Sequence, residues 1–147
     1  LGSEVIPEPR LQEYDFGDAL SGLTWQEIRE QQPEILSALI SGDSEFPRYP
    51  GEEGRGAFRD RVCAAVGEIA SRHSGDDAVV VVTHAGPIAV YLMEALGRNY
   101  SRPIPFSIDN ASVTTVELAT NPTPFQPSVV VTGINDTCHL AAVGHPK

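Results

Sequence analysis

Apolar residues recur along this chain with two different periods, and each change of period marks an element. Phe58, Val62, Ala65, Val66 and Ile69 fall at i, i+4, i+7, i+8 and i+11. That is one face of a 3.6-residue repeat, and it predicts an amphipathic helix ending near Ser74-Gly75. Ala78-Val79-Val80-Val81-Val82-Thr83 shows no polar alternation. A short β-branched run of this kind, bounded by Asp76-Asp77 and Ala85-Gly86, predicts a parallel strand covered on both faces. Pro87 then sits where a helix begins, Ile88 to Leu96 supply its body, and Gly97 is its stop. Ser112 to Leu118 alternates as a strand does, and Ser128 to Ile134 is the last strand. A turn with Pro122, Pro124 and Pro127 joins these two as antiparallel neighbours.

The first third is more broken. Pro7, Pro9, Gly17 and Gly22 make the opening stretch turn-rich. Thr24-Trp25-Gln26-Glu27 is a capping box that starts a helix, and Pro33 divides this region into two short helices. Pro47, Pro50, Gly51 and Gly54 place a loop between Gly42 and Gly56, and the tail after Leu140 reads as loose. The order helix, strand, helix, strand, strand predicts an α/β fold, with helices covering a sheet.

Composition narrows the class. A chain of 147 residues with 41% hydrophobic content is expected to form a single domain, residues 1–147. No apolar stretch approaches the roughly 18 residues of a membrane span. Leu1-Gly2-Ser3-Glu4 has no basic region or apolar run, so it is not a secretory signal. The net charge of −10 repels nucleic acid and anionic membrane surfaces. An anionic substrate would have to be held by local groups against that field. Cys63 and Cys138 form no disulfide framework and match no metal spacing, which suits a reduced, cytoplasmic protein.

Chemistry concentrates at the end of the Val-rich run. The carboxyl end of a parallel strand is where α/β proteins bind ligands, and the following helix N-terminus offers amides that suit a phosphate. His84 stands at that junction, and Ala85 and Gly86 keep the approach open. A histidine there can donate to a phosphoryl oxygen, accept a proton or attack phosphorus; the alternative is that it only caps the helix. Arg10-Leu11-Gln12-Glu13-Tyr14-Asp15-Phe16-Gly17 mixes charged with apolar residues in a turn-rich stretch, and on its own it reads equally as a solvated loop. His73, His84, His139 and His145 match no zinc spacing, so no metal is expected.

Five segments together are more specific. Arg10-Leu11-x-Glu13-x-x-x-Gly17 with Gly22-Leu23-Thr24, Pro50-Gly51-Glu52-Glu53 leading to Phe58 and Arg61, Val82-Thr83-His84-Ala85-Gly86, Asn110-Ala111-Ser112, and Asn135 to Leu140 occur in order. The set resembles the histidine phosphatase superfamily, the phosphoglycerate-mutase-like proteins, and within it the small broad-specificity phosphatases. The resemblance runs from about Arg10 to Leu140. It implies a three-layer fold with helices on both faces of a sheet, and hydrolysis of phosphate monoesters through a phosphohistidine without metal or other cofactor. It implies that Glu13 is the general acid and then the base, that His84 binds the phosphoryl oxygens, and that Ala85, Gly86 and Arg10 contact substrate. Substrate choice would lie in the loops Gly42 to Gly56 and Arg98 to Ser107.

The family's Arg-His-Gly motif, which supplies the nucleophile, has no counterpart at a strand end. Arg72-His73-Ser74-Gly75 is the nearest match and lies at a helix end. The chain therefore reads as a family member without its central first strand and nucleophilic histidine, impaired when alone. The alternative is a non-catalytic remnant that binds phosphate esters or serves as an interaction module. In either case Ala78 to Thr83 is expected to be an open apolar edge, covered by a companion N-terminal chain or by a homodimer. A phosphorylated small molecule is the expected ligand.

Overall fold

The computed structural model describes residues 4–40, 46–73, 77–98, 104–119 and 128–143. Ser74-Gly75, Pro103, the Pro122 to Pro127 turn, His145 and part of each proposed specificity loop lie outside them.

The helices follow the sequence closely. Helix α1, Trp25–Gln31, opens on the expected capping box: the Glu27 amide donates to Thr24 Oγ1 at 3.3 Å and the Thr24 amide donates to Glu27 Oε2 at 2.8 Å. Proline has no amide to lose at a first helical position, and α2, Pro33–Ile40, begins on Pro33. Helix α3, Arg55–Ser71, buries Phe58, Val62 and Ala65 completely and turns Val66 and Ile69 to the same side. It stops at Ser71, short of the expected Ser74-Gly75, because the Arg72 and His73 amides tighten onto the Ile69 and Ala70 carbonyls. Helix α4, Ala85–Ala95, starts directly after His84, carries Pro87 in its first turn, and is followed by Gly97 at φ +63°. The tail after Leu140 is more ordered than expected: Cys138–Val143 is a 3₁₀ segment whose first amide donates to Asp136 Oδ1 at 2.8 Å.

Strands β1, Val113–Leu118, and β2, Val129–Asp136, form the expected antiparallel pair, with Val116 opposite Val131 and Leu118 opposite Val129. Register shifts on either side of Thr115 bend the ribbon. Asn135 takes a left-handed φ of +58°, which asparagine tolerates better than most residues. Its side chain accepts from the Asp109 amide at 2.6 Å and donates back to the Asp109 carboxylate at 3.0 Å, fastening the loop ahead of β1.

The Val-rich run departs from expectation. The sequence predicts a parallel strand covered on both faces, yet among the described residues the run joins no ladder and the sheet is two-stranded. Val80 and Val82 are 83% and 92% exposed, and the alternate residues Val79 and Val81 are 45% and 43% exposed. Both faces are therefore uncovered. A strand exists only where neighbours satisfy its amides and carbonyls, and the described residues supply none. Among the described residues the end of the run is tied down by Thr83 Oγ1 donating to the Leu11 carbonyl at 2.5 Å.

Two apolar clusters organise the rest. Leu11, Phe58, Val62, Ala65 and Val90 pack where the 3₁₀ turn Pro9–Leu11, α3 and α4 meet. Leu20, Ile28 and Tyr49 form a second cluster with α1 and α2. Tyr14 joins the two: its ring lies 5.2 Å from Phe58, edge-on, and 4.9 Å from Phe16. Its hydroxyl donates to Glu52 at 2.7 Å, and Glu52, with a wholly buried side chain, is paired with Arg48. Gly17 at φ +75° lies so close to Gly51 that a Cβ would stand 2.5 Å from its carbonyl oxygen, so the motif glycine lets the two loops touch.

Truncating Phe58 to Ala should cost about 3–5 kcal/mol, because its cavity opens where α3 meets α4; denaturant unfolding measures this. Glu52 gives a pH signature. Burial alone would raise its pKa, but hydrogen bonds from the Arg48 side chain and amide and from Tyr14 outweigh burial and hold it below its ordinary 4.5. The unfolded chain then binds that proton more readily, so Glu52 contributes stability that is complete above pH 4.5 and lost as pH falls through its native value. Glu52→Gln should lower stability at pH 7 and flatten the loss on acidification below about pH 5, as followed by thermal unfolding.

Candidate active site

Glu13 and the His84 turn come from segments more than seventy residues apart in sequence, and one hydrogen bond joins them. The Gly86 amide, in the first turn of α4, donates to Glu13 Oε2 at 3.0 Å. The other carboxylate oxygen accepts from the Tyr14 amide at 2.8 Å. The first amides of a helix have no partner within it, and the helix dipole favours negative charge there, so a carboxylate is well seated at this position. Gly86 makes the seat possible. A Cβ on Gly86 would overlap Glu13 Oε1 and stand 2.8 Å from Glu13 Cδ, so any larger residue expels the carboxylate. The sequence singled out Gly86 as a substrate contact; in the structure its amide serves Glu13.

His84 precedes this turn as the N-cap of α4, with extended backbone (φ −102°, ψ 172°). Its ring makes no capping bond to the helix and is exposed, so the role of simple helix cap loses its support. Ala85 is also exposed. The structure thus brings the Glu13 carboxylate to the helix N-terminus that the exposed His84 precedes, at the end of the Val-rich run. The Thr83–Leu11 bond closes the same junction from below.

Arg10 is placed differently. Its guanidinium is paired with Glu8 at 2.6 Å and with Glu68 of α3 at 2.8 Å, which turns it toward α3. The hydrogen bonds from the Arg10 side chain and amide lower the Glu8 carboxyl to about 2, so this pair is charged throughout the neutral range. His73 lies just past the end of α3, with Nδ1 3.6 Å from the Asp77 carboxylate, and His139 is exposed on the final 3₁₀ segment. Among the described residues no group of three or more His, Cys, Asp or Glu side chains is arranged to hold a metal ion.

Sequence reasoning gave Arg61 no role, and the structure gives it the most connected position near the site. Its guanidinium donates to the backbone carbonyls of Arg10, Gln12 and Glu13 at 2.7, 2.9 and 3.0 Å. It is held in turn by both carboxylate oxygens of Glu53 and stacks 4.8 Å over the Phe58 ring. The available signal was the spacing of Glu53 and Arg61, which brings a loop carboxylate to the second turn of a helix.

Comparisons with known proteins identify the family. A family model described as histidine phosphatase superfamily (branch 1) matches residues 1–126. The chain is 33% identical over 142 residues to the metal-independent phosphoserine phosphatase of Arabidopsis thaliana, covering 96% of this chain and 54% of that protein. It is 30% identical over 137 residues to phosphoserine phosphatase 1 of Hydrogenobacter thermophilus, covering 93% and 61%. Among solved structures, Bacillus stearothermophilus YhfR superposes with a TM-score of 0.72 at 24% identity, over 90% of this chain and 62% of that one, which shows a shared fold. The chain thus spans a little over half the length of these relatives. From the ordered motifs, the site that they build and the matched family model, this chain belongs to the histidine phosphatase superfamily.

Proposed function

We propose that this chain carries the acid–base and anion-stabilising half of a phosphomonoesterase site whose nucleophilic histidine lies outside these 147 residues. The observation that supports this best is the Glu13 carboxylate bonded to the Gly86 amide beside the exposed His84. In the proposed reaction a histidine nitrogen attacks phosphorus and a P–N bond forms. The P–O bond to the leaving group breaks, and protonated Glu13 gives its proton to the departing oxygen. Water then attacks phosphorus, Glu13 takes a proton from it, the P–N bond breaks, and phosphate leaves. His84 donates to the phosphoryl oxygens as charge builds on them, a contribution that is often the largest in such sites.

Two further assignments belong to this reading. The uncovered run Ala78 to Thr83 takes the strand that brings the nucleophile, supplied by a companion N-terminal segment or by a second copy of the chain. The exposure of Val79 to Val82 supports it, since apolar strand edges pair when a partner is offered. Arg10 contacts the phosphoryl group only by exchanging Glu8 or Glu68 for it, so it is assigned a lesser part than His84. The names of two relatives make phosphoserine the first substrate to test, alongside p-nitrophenyl phosphate.

The test is steady-state hydrolysis of both esters, in the presence of a chelator, by the whole encoded protein and by its variants. Glu13→Gln should lower kcat by about 10²–10⁴-fold. His84→Ala should lower it by about 10²–10³-fold. Gly86→Ala should behave as Glu13→Gln does, since it displaces the same carboxylate. The 147 residues alone should hydrolyse neither ester. Turnover by these residues alone that survives His84→Ala would contradict the reading, and phosphate binding without turnover by the whole protein would favour a binding module.

A further inference from the structure

The segment that bears Glu13 leaves the 3₁₀ turn Pro9–Leu11 at Gln12, and from Glu13 to Asp15 it belongs to no helix or strand. Three carbonyls of the stretch from Arg10 to Glu13 are gathered by one side chain. Arg61 reaches from α3 and donates to the carbonyls of Arg10, Gln12 and Glu13, three of four consecutive residues ending on the one that carries the carboxylate. The planar fork of a guanidinium suits this geometry, since its donors diverge in one plane, and a lysine ammonium cannot reproduce it. The fork is itself fixed on three sides. Glu53 takes its Nε and one terminal nitrogen, the Phe58 ring lies beneath it, and α3 carries its stem.

Glu53 also reaches the segment directly. Its amide donates to the Asp15 carbonyl at 3.0 Å, and its carboxylate accepts from the Asp15 amide at 3.2 Å. The next residue back, Glu52, holds the Tyr14 hydroxyl from the other side. The Glu52-Glu53 pair therefore brackets the segment, and Arg61 closes the bracket on Glu13. We infer that Arg61, anchored by Glu53, is a positioning residue that sets where the Glu13 carboxylate meets the Gly86 amide. Neither residue touches the reacting atoms; both act through the backbone of residue 13. The catalytic meaning of this clamp rests on Glu13 being the working carboxylate, whereas its structural part does not.

The Gly86 amide provides a direct reporter, because its ¹H and ¹⁵N shifts depend on the carboxylate that it donates to. Glu13→Gln should move those shifts. Arg61→Ala and Arg61→Lys should each move them by about half as much or more, while unfolding stays cooperative and Ile28, in the other apolar cluster, keeps its shifts. Should Arg61→Ala fail to fold, Glu53→Gln, which keeps the guanidinium but loosens its anchor, should give the same change. In turnover, Arg61→Lys should lower kcat on the order of 10–100-fold with KM unchanged and shift the pH profile, as misplacing a reacting group does. Unchanged Gly86 amide shifts in Arg61→Lys and Glu53→Gln overturn the clamp. Full turnover in Glu13→Gln overturns the functional reading instead, so the two failures are distinguishable.

Discussion

The Glu13 carboxylate crosses from an irregular segment to the first turn of α4 and ends on the Gly86 amide. Every other feature of the site depends on that contact. It brings an acidic group beside His84, it uses the positive end of a helix to hold negative charge, and it requires that residue 86 have no side chain. A carboxyl group held in this way is preorganised, so it meets the atom that it protonates or deprotonates in a fixed position.

Holding an irregular segment in one conformation costs conformational entropy, and the fold offsets that cost with polar anchors. Glu52 with Arg48 and Tyr14, and Glu53 with Arg61, tie residues 10 to 15 to α3 and to the loop before it. Tyr14 adds apolar contacts, packing on Phe58 on one side and Phe16 on the other. Groups as buried as Glu52 are expensive to leave unpaired, so the network acts as a unit and loosening one member is felt by the others. The hydrophobic clusters hold the helices together; the polar network decides where the carboxylate stands.

The helices were legible in the sequence because their signals are local: the Thr24–Glu27 box, Pro33, Gly97 and the 3.6-residue repeat from Phe58 act over a few residues. The antiparallel hairpin was legible from alternation. Strand pairing of Val79 to Val82 was not, because a ladder needs a neighbour, and composition says what a strand wants without saying that it is present. In the site, His84 was found by its position after a β-branched run, and Glu13 through its motif. Arg61 stood in a motif but was given no role, because its contacts are to backbone carbonyls forty-eight to fifty-one residues away, which the side-chain pattern does not specify. The bond from the Gly86 amide to Glu13 was not legible for a similar reason: a helix N-terminus attracts anions, and the sequence cannot say that the protein supplies one of its own.

Glu13 and His84, on this reading, serve a histidine nucleophile that is not among these residues. Trapping of the phosphoenzyme tests it most directly: the whole encoded protein carrying Glu13→Gln is mixed with a phosphomonoester, quenched in base, where phosphohistidine survives, and mapped by mass spectrometry. The expected result is a phosphoryl group on a histidine outside these 147 residues, and none on His73, His84 or His139. A phosphoryl group on His84 or His73, or turnover with no phosphohistidine at all, would contradict it.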